Sequence, residues 1–405
     1  MTRAAARSFA LALALVCVLG LAVPLAGAWQ DATPQPGAMA GALPAGVEVV
    51  ASGLTNPRGF TWGANGEIFI ALAGIGGDSP GTLDDGTPFG LFGGPTSSVA
   101  RIEAGCAVPI AEGLASTIWA DVGWVWGIMD LAILDDHLYA LSSGGGIEGG
   151  LPDVPNGVYR INADGTADLV ADFSAWFREN PPDFIAPDYG QDGSLFSLKA
   201  GADALWANES VAGRLMRVTP DGEIDLVTDL SVDHPVFDGI AVAPDGGVYF
   251  GSLTAIPYPE GAAKVVHVSP DGVVTDHWTG LTAVTSIAVG PDGTLYAEEL
   301  GTDNLEEPPF LRPNSGRIVR MTGPDGFEEV VTDIPYPVGL NFGPDGAMYV
   351  TYPAFGPDAG VGQGALLRID LAAGAPISLA GLGELAPTCA TATGGMAPSD
   401  ASPTP

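Results

Sequence analysis

Apolar residues in this sequence come in short alternating runs separated by turn residues. That period-two pattern reads as a succession of half-buried strands. One grammar recurs along the chain. Asp238-Gly239-Ile240-Ala241-Val242 leads through Pro244-Asp245-Gly246 to Val248-Tyr249-Phe250. It returns around Pro291-Asp292-Gly293, and again as Val338-Gly339-Leu340-Asn341-Phe342, Pro344-Asp345-Gly346, Met348-Tyr349-Val350. An early copy runs from Pro57-Arg58-Gly59-Phe60 through Asn65-Gly66 to Ile68-Phe69-Ile70, and weaker ones centre on Asp135-Asp136 and on Gly201-Ala202-Asp203. Each copy is followed by a second hairpin, such as Val158-Tyr159-Arg160-Ile161 turning at Asp164-Gly165. Asp-Gly suits such turns because both residues tolerate positive φ.

Six units of four strands, spaced about 50 residues apart, predict an all-β chain folded as a six-bladed β-propeller with four-stranded blades. Val47-Glu48-Val49-Val50-Ala51-Ser52 has the look of an outermost strand left over at the start. Paired with the last blade it would close the ring, and Pro376-Ile377-Ser378-Leu379 competes for that place. The expected organisation is a signal peptide over 1–28, a disordered linker over 29–45, the propeller over 46–385 and a disordered tail over 386–405.

Up-and-down blades send alternate connections to opposite faces. The Asp-Gly turns share one face, and every long insertion falls on the other: 73–96, 115–126, 174–192, 254–261 and 301–315. Long loops on a rigid scaffold are where sites are usually built. These carry aromatic side chains, including Trp119, Trp124, Trp126, Trp176, Tyr258 and Phe310, which suit an apolar or aromatic ligand, or fold the loops down as small cores of their own.

The first 28 residues read as an export signal: Arg3 and Arg7, an apolar run to Val23, then Ala26-Gly27-Ala28 as a small-x-small cleavage site. The formal charge of the 405-residue chain is −34, from 14 basic and 48 acidic side chains. Such a surface repels nucleic acid and anionic lipid. The partner expected is therefore a small molecule or another exported protein, with no nucleic acid and no membrane span, and the chain is expected to be a monomer. Cleavage removes Cys17 and leaves Cys106 and Cys389. The first falls in the outer turn of blade 1 and the second just after blade 6, neighbours in a closed ring. A Cys106–Cys389 disulfide is expected in an oxidising compartment, secreted or periplasmic.

The innermost strands should place Arg58, Asp130, Ser286, Asp238 and Ser194 near the channel mouth, with Glu209, Glu298 and Glu299 at the ends of the adjacent strands. Converging carboxylates could hold calcium, with Glu209, Asp238 and Glu298 as ligands. Paired acids could also transfer protons if one pKa were raised. The four histidines, His137, His234, His267 and His277, have no zinc-site spacing. No Gly-x-Ser-x-Gly elbow and no phosphate-cradling loop ending in Lys-Ser or Lys-Thr occurs. The absence of an evident channel histidine base also counts against a quinone-dependent oxidoreductase.

At these repeats the chain resembles the NHL and SMP-30-like six-bladed propellers, and most closely the ScyD/ScyE family, named for components of a pigment gene cluster. Val49-Val50-Ala51-Ser52-Gly53-Leu54-Thr55-Asn56-Pro57-Arg58-Gly59 is similar to that family's opening. Gly251-Ser252-Leu253-Thr254-Ala255-Ile256-Pro257-Tyr258-Pro259-Glu260-Gly261-Ala262-Ala263 resembles its Gly-x-Leu-Thr-Gly-x-Pro-x-Pro-x-Gly-Ala-Ala segment. The resemblance implies fold and export rather than a reaction. Against the calcium-dependent lactonases of SMP-30 type, Arg58 stands where their metal-binding glutamate would be, and a cation cannot be a ligand. Two readings follow: an exported scaffold that binds a ligand or partner on its long-loop face, or a calcium-dependent lactonase-like or esterase-like hydrolase working in the channel.

Overall fold

Six sheets, antiparallel but for one added strand, follow one another along the chain of this computed structural model, which describes residues 43–389 apart from 122, 308–309, 355–360 and 383–384. The proposed signal peptide and most of the linker lie outside the described residues. The innermost strands are β2 (Pro57–Trp62), β8 (Ile128–Leu134), β12 (Leu195–Ala200), β16 (Phe237–Val242), β20 (Val284–Val289) and β24 (Gly339–Phe342). Each opens one sheet and packs beside the next innermost strand, and β24 packs beside β2. The fold is a six-bladed β-propeller of four-stranded blades, the first and fifth carrying additional strands.

The alternating pattern makes this arrangement. Both faces of every blade are apolar, and each is buried against a different neighbour: successive residues Ile240 and Ala241 enter two different clusters. Six apolar clusters accordingly fill the six spaces between adjacent blades. Phe237 stacked on Phe250 at 4.5 Å, and the fully buried Trp278, are among their largest members. The Asp-Gly turns behave as their chemistry requires: Gly246 and Gly293 have φ of 86° and 82°, where a Cβ would be strained.

The sixth sheet takes its outer strand from the chain start. β1 (Val47–Leu54) pairs antiparallel with β26 (Gly364–Ile369), Val47 opposite Ile369. The competing segment goes elsewhere: β27 (Ile377–Ser378) lies parallel to β23 (Gly326–Ile334) in the fifth sheet.

The first blade departs from the expected loops. β4 (Ser79–Thr82), β5 (Pro88–Glu103), β6 (Cys106–Trp119) and β7 (Trp124–Trp126) occupy much of 73–96 and 115–126. Their glycine and proline content reads as loop, but β5 and β6 continue their ladder past the blade by slipping register at Gly94/Ser97 and Ser97/Val99. The 174–192 insertion opens with a helix, α1 (Phe173–Glu179), capped by Asp172. The tail is also ordered further than expected. Thr388 bonds Ser52 and Gly105, and Cys389 is joined to Cys106. No helix among the described residues is long and apolar enough to cross a membrane.

Candidate functional site

The second residue of β2, β8, β12, β16 and β20, with Val338 just before β24, falls at the same height in all six blades. Arg58, Met129, Phe196, Asp238, Thr285 and Val338 form this ring, and all six line one cavity of about 180 Å³. Above them stand the long-loop residues: Trp124 and Trp126 of β7, Asp188, Leu253 to Ile256, Tyr258, Leu300 and Ala354. Below, a recess of about 10 Å³ holds Asp130, Ser197, Lys199, Ser286 and Asn341. Arg58, Met129, Phe196 and Val338 border both spaces, so this ring is the waist of the channel.

Arg58 is 3% exposed. Its guanidinium donates to the carbonyls of Pro57 (3.1 Å) and Val125 (2.7 Å). Burial pulls its pKa down to about 9, which leaves it a cation at neutral pH. Blade 4, opposite blade 1 in the ring, supplies Asp238. Its Oδ1 accepts a short hydrogen bond from Ser210, which also lines the cavity. Burial pushes the Asp238 pKa up to about 7, with nearby Glu209 adding to the rise and Ser210 opposing it. Tyr258, buried beside them, is pushed up by burial and by the charges of Asp238 and Asp188. At the rim, Asp188 meets His234 at 3.1 Å.

The other expected residues divide between several places. Ser194 lines the cavity. Asp130 and Ser286 lie below the waist. Asp130 pairs with Lys199 at 2.7 Å and accepts the Leu198 amide, and Ser286 bonds Leu340 across the next seam. Glu209 turns onto the amides of Ser194, Val211 and Ala212, and its burial raises the pKa to about 7. Glu298 is fully buried, takes a hydrogen bond from Thr285 and has its pKa raised well above the carboxylate range by desolvation. Glu299 is ion-paired with Arg317 and accepts the Thr282 amide. Glu209, Asp238 and Glu298 are thus engaged separately, and among the described residues no group of three or more His, Cys, Asp or Glu is placed to hold a metal ion.

The aromatic residues split the same way. Trp124 packs edge-on between Trp119 and Trp126, at 6.1 and 6.2 Å, and carries the cavity wall out to the exposed Trp119. Tyr258 and Phe310 belong to a small core with Leu300, Leu311 and Ala354. Trp176 instead packs under Arg214, 4.8 Å from its ring centre. Met129, Phe196, Thr285, Val338, Ser210 and Asp188 were not singled out from sequence. The first four could have been, because they repeat the strand position of Arg58 and Asp238.

Asp238 makes folding pH-dependent in a defined direction. Its acid is neutral when folded up to about pH 7, against a carboxylate range near 4 when unfolded. Its contribution is therefore most favourable at low pH and is lost as pH rises through that window. Asp238→Asn keeps an acceptor for Ser210 and cannot ionise. Its stability relative to the unsubstituted chain is expected to rise by about 3 kcal/mol between pH ~4.5 and pH ~8. Urea unfolding at the two pH values measures this; a constant difference would remove Asp238 as a buried neutral acid.

No known family model matches the sequence, and no curated protein matches it either. Solved structures do match. Regucalcin, a calcium-binding protein from Agrobacterium tumefaciens, is 15% identical with a TM-score of 0.50, over 80% of this chain and 93% of its own. The PQQ-bound aldose sugar dehydrogenase of Streptomyces coelicolor is 13% identical with a TM-score of 0.50, over 81% and 100%. At such identities the likeness establishes the fold alone.

Proposed function

We propose that this chain is an exported binding propeller that holds a small, largely apolar molecule in the cavity on its long-loop face. The observation that carries the reading is the cavity itself, floored by the ring of Arg58, Met129, Phe196, Asp238, Thr285 and Val338, walled by Trp124, Trp126, Leu253 and Ile256, and furnished with a few convergent polar groups. Both segments that resemble the ScyD/ScyE family, 49–59 and 251–263, border it, through Arg58 and through Leu253 to Tyr258. The Cys106–Cys389 bond supports an oxidising compartment.

Calcium takes about six to eight oxygen ligands. The channel carboxylates do not fit that demand: the Glu209 oxygens accept three amides, Asp238 accepts Ser210, and Arg58 stands at the waist. No step is assigned to calcium. A hydrolytic reading without metal is favoured by one feature, a serine hydroxyl bonded to a carboxyl of raised pKa inside the cavity. Screens of lactones and aryl esters separate it from binding alone.

The binding reading is tested by filling the cavity. Calorimetry with the neutral probe 2-naphthamide should detect binding to the unsubstituted chain. Ala255→Trp, which adds bulk to the lining, should abolish it with little change in thermal midpoint. Binding that persists undiminished in the filled variant would place the probe elsewhere and overturn the reading.

A further inference from the structure

The cation at the waist is unusual for this molecule. Ten arginines are described, in a sequence with 48 acidic residues against 14 basic ones. Eight of them have an acidic side chain within 4 Å, including the one other buried arginine, Arg214 with Asp229, and the partly buried Arg317 with Glu299 and Glu329. Arg312 is exposed and needs none. Arg58 is buried and, among the described residues, has no acidic partner. An unpaired charge out of water is one of the costliest arrangements in a folded chain. Acids are abundant in the sequence, and among the described residues none is placed beside this one. Asp238 does not serve: it sits on the opposite blade, bonded to Ser210, and its ionisation is governed by burial, Ser210 and Glu209.

We infer that Arg58 is the anchor of an anion subsite, and that the ligand of the cavity is an apolar or aromatic molecule bearing a single carboxylate; this rests on reading the cavity as a binding site. Two guanidinium donors are fixed by the Pro57 and Val125 carbonyls, which orients the plane and leaves the remaining N–H groups of its fork with no acceptor among the described residues. A planar fork matches a carboxylate in two parallel hydrogen bonds. Val125 lies between Trp124 and Trp126, so the guanidinium sits directly under the aromatic wall. A ligand whose carboxylate meets Arg58 therefore lays its apolar body against those tryptophans and Ile256. A dianion such as a phosphate monoester fits less well, because one cation faces it and Asp238 and Asp188 line the same space.

The test compares 2-naphthoate with 2-naphthamide, equal in shape and different in charge, by calorimetry on the whole mature chain. The carboxylate is expected to bind at least about tenfold more tightly, as charge-assisted hydrogen bonds to a desolvated guanidinium imply. Arg58→Gln should erase the preference while the amide still binds, and Arg58→Lys should keep part of it. Equal affinities in the unsubstituted chain would overturn the anion subsite and leave the cavity reading standing. A preference that survives Arg58→Gln would remove Arg58 as its anchor. Failure of both probes to bind would overturn both readings. Should Arg58→Gln not fold, the unsubstituted pair and Arg58→Lys decide.

Discussion

Arg214→Ala is expected to destabilise the folded chain by about 3–5 kcal/mol, because it breaks a largely buried ion pair and removes a fully buried side chain from its packing. Arg214 is 1% exposed. Its Nε lies 3.3 Å from Asp229, its Nη1 donates to the Asn180 carbonyl at 2.7 Å, and its guanidinium covers the rings of Trp176 and Phe177. It ties blade 3 to α1 and to the insertion that delivers Asp188 to the cavity rim. Urea unfolding measures the loss, and probe binding should weaken in the same variant. A loss under about 1 kcal/mol would show that the insertion holds its place without this brace.

Cys106→Ser is expected to cost about 3–5 kcal/mol, read from the thermal midpoint, and Cys389→Ser the same, with the double variant no worse than either single one. The bond joins residues 283 apart in sequence. In the chain-entropy view, a cross-link over more than about 100 residues restricts the unfolded ensemble by roughly 5 kcal/mol, and measured effects commonly fall short of that. The tail it fixes crosses the seam between the last and first blades, where Thr388 bonds both Ser52 and Gly105. Unchanged midpoints under reducing conditions would mean that these hydrogen bonds and the packing of Ala51, Leu54 and Phe60 hold the seam alone.

The blades were legible because each rests on local chemistry repeated six times. Alternation sends successive apolar residues to the two seams that flank each blade, and Asp-Gly or a related pair sets where most hairpins turn. The disulfide was legible for a related reason: a closed ring makes the two cysteines neighbours although the chain separates them. The long hairpin of β5 and β6 was not legible, because its glycines carry no apolar alternation and its ladder depends on register slips. The site was half legible. Arg58 and Asp238 could be placed at the channel mouth from strand position. Which direction each channel carboxylate turns depends on which donors reach it, whether from a distant strand, as the Leu198 amide and Lys199 reach Asp130, or from the turn just after it, as the Val211 and Ala212 amides reach Glu209. Asp130 looked equivalent to Asp238, yet it stands one residue further along its strand and so falls below the waist, with Lys199.

A crystal structure of the protein grown with 2-naphthoate tests the central claim most directly. The carboxylate is expected on the Arg58 guanidinium, with the rings between Trp124, Trp126 and Ile256 above the waist. A probe found only on the Asp-Gly face or outside the ring, with the cavity holding solvent alone, would contradict it.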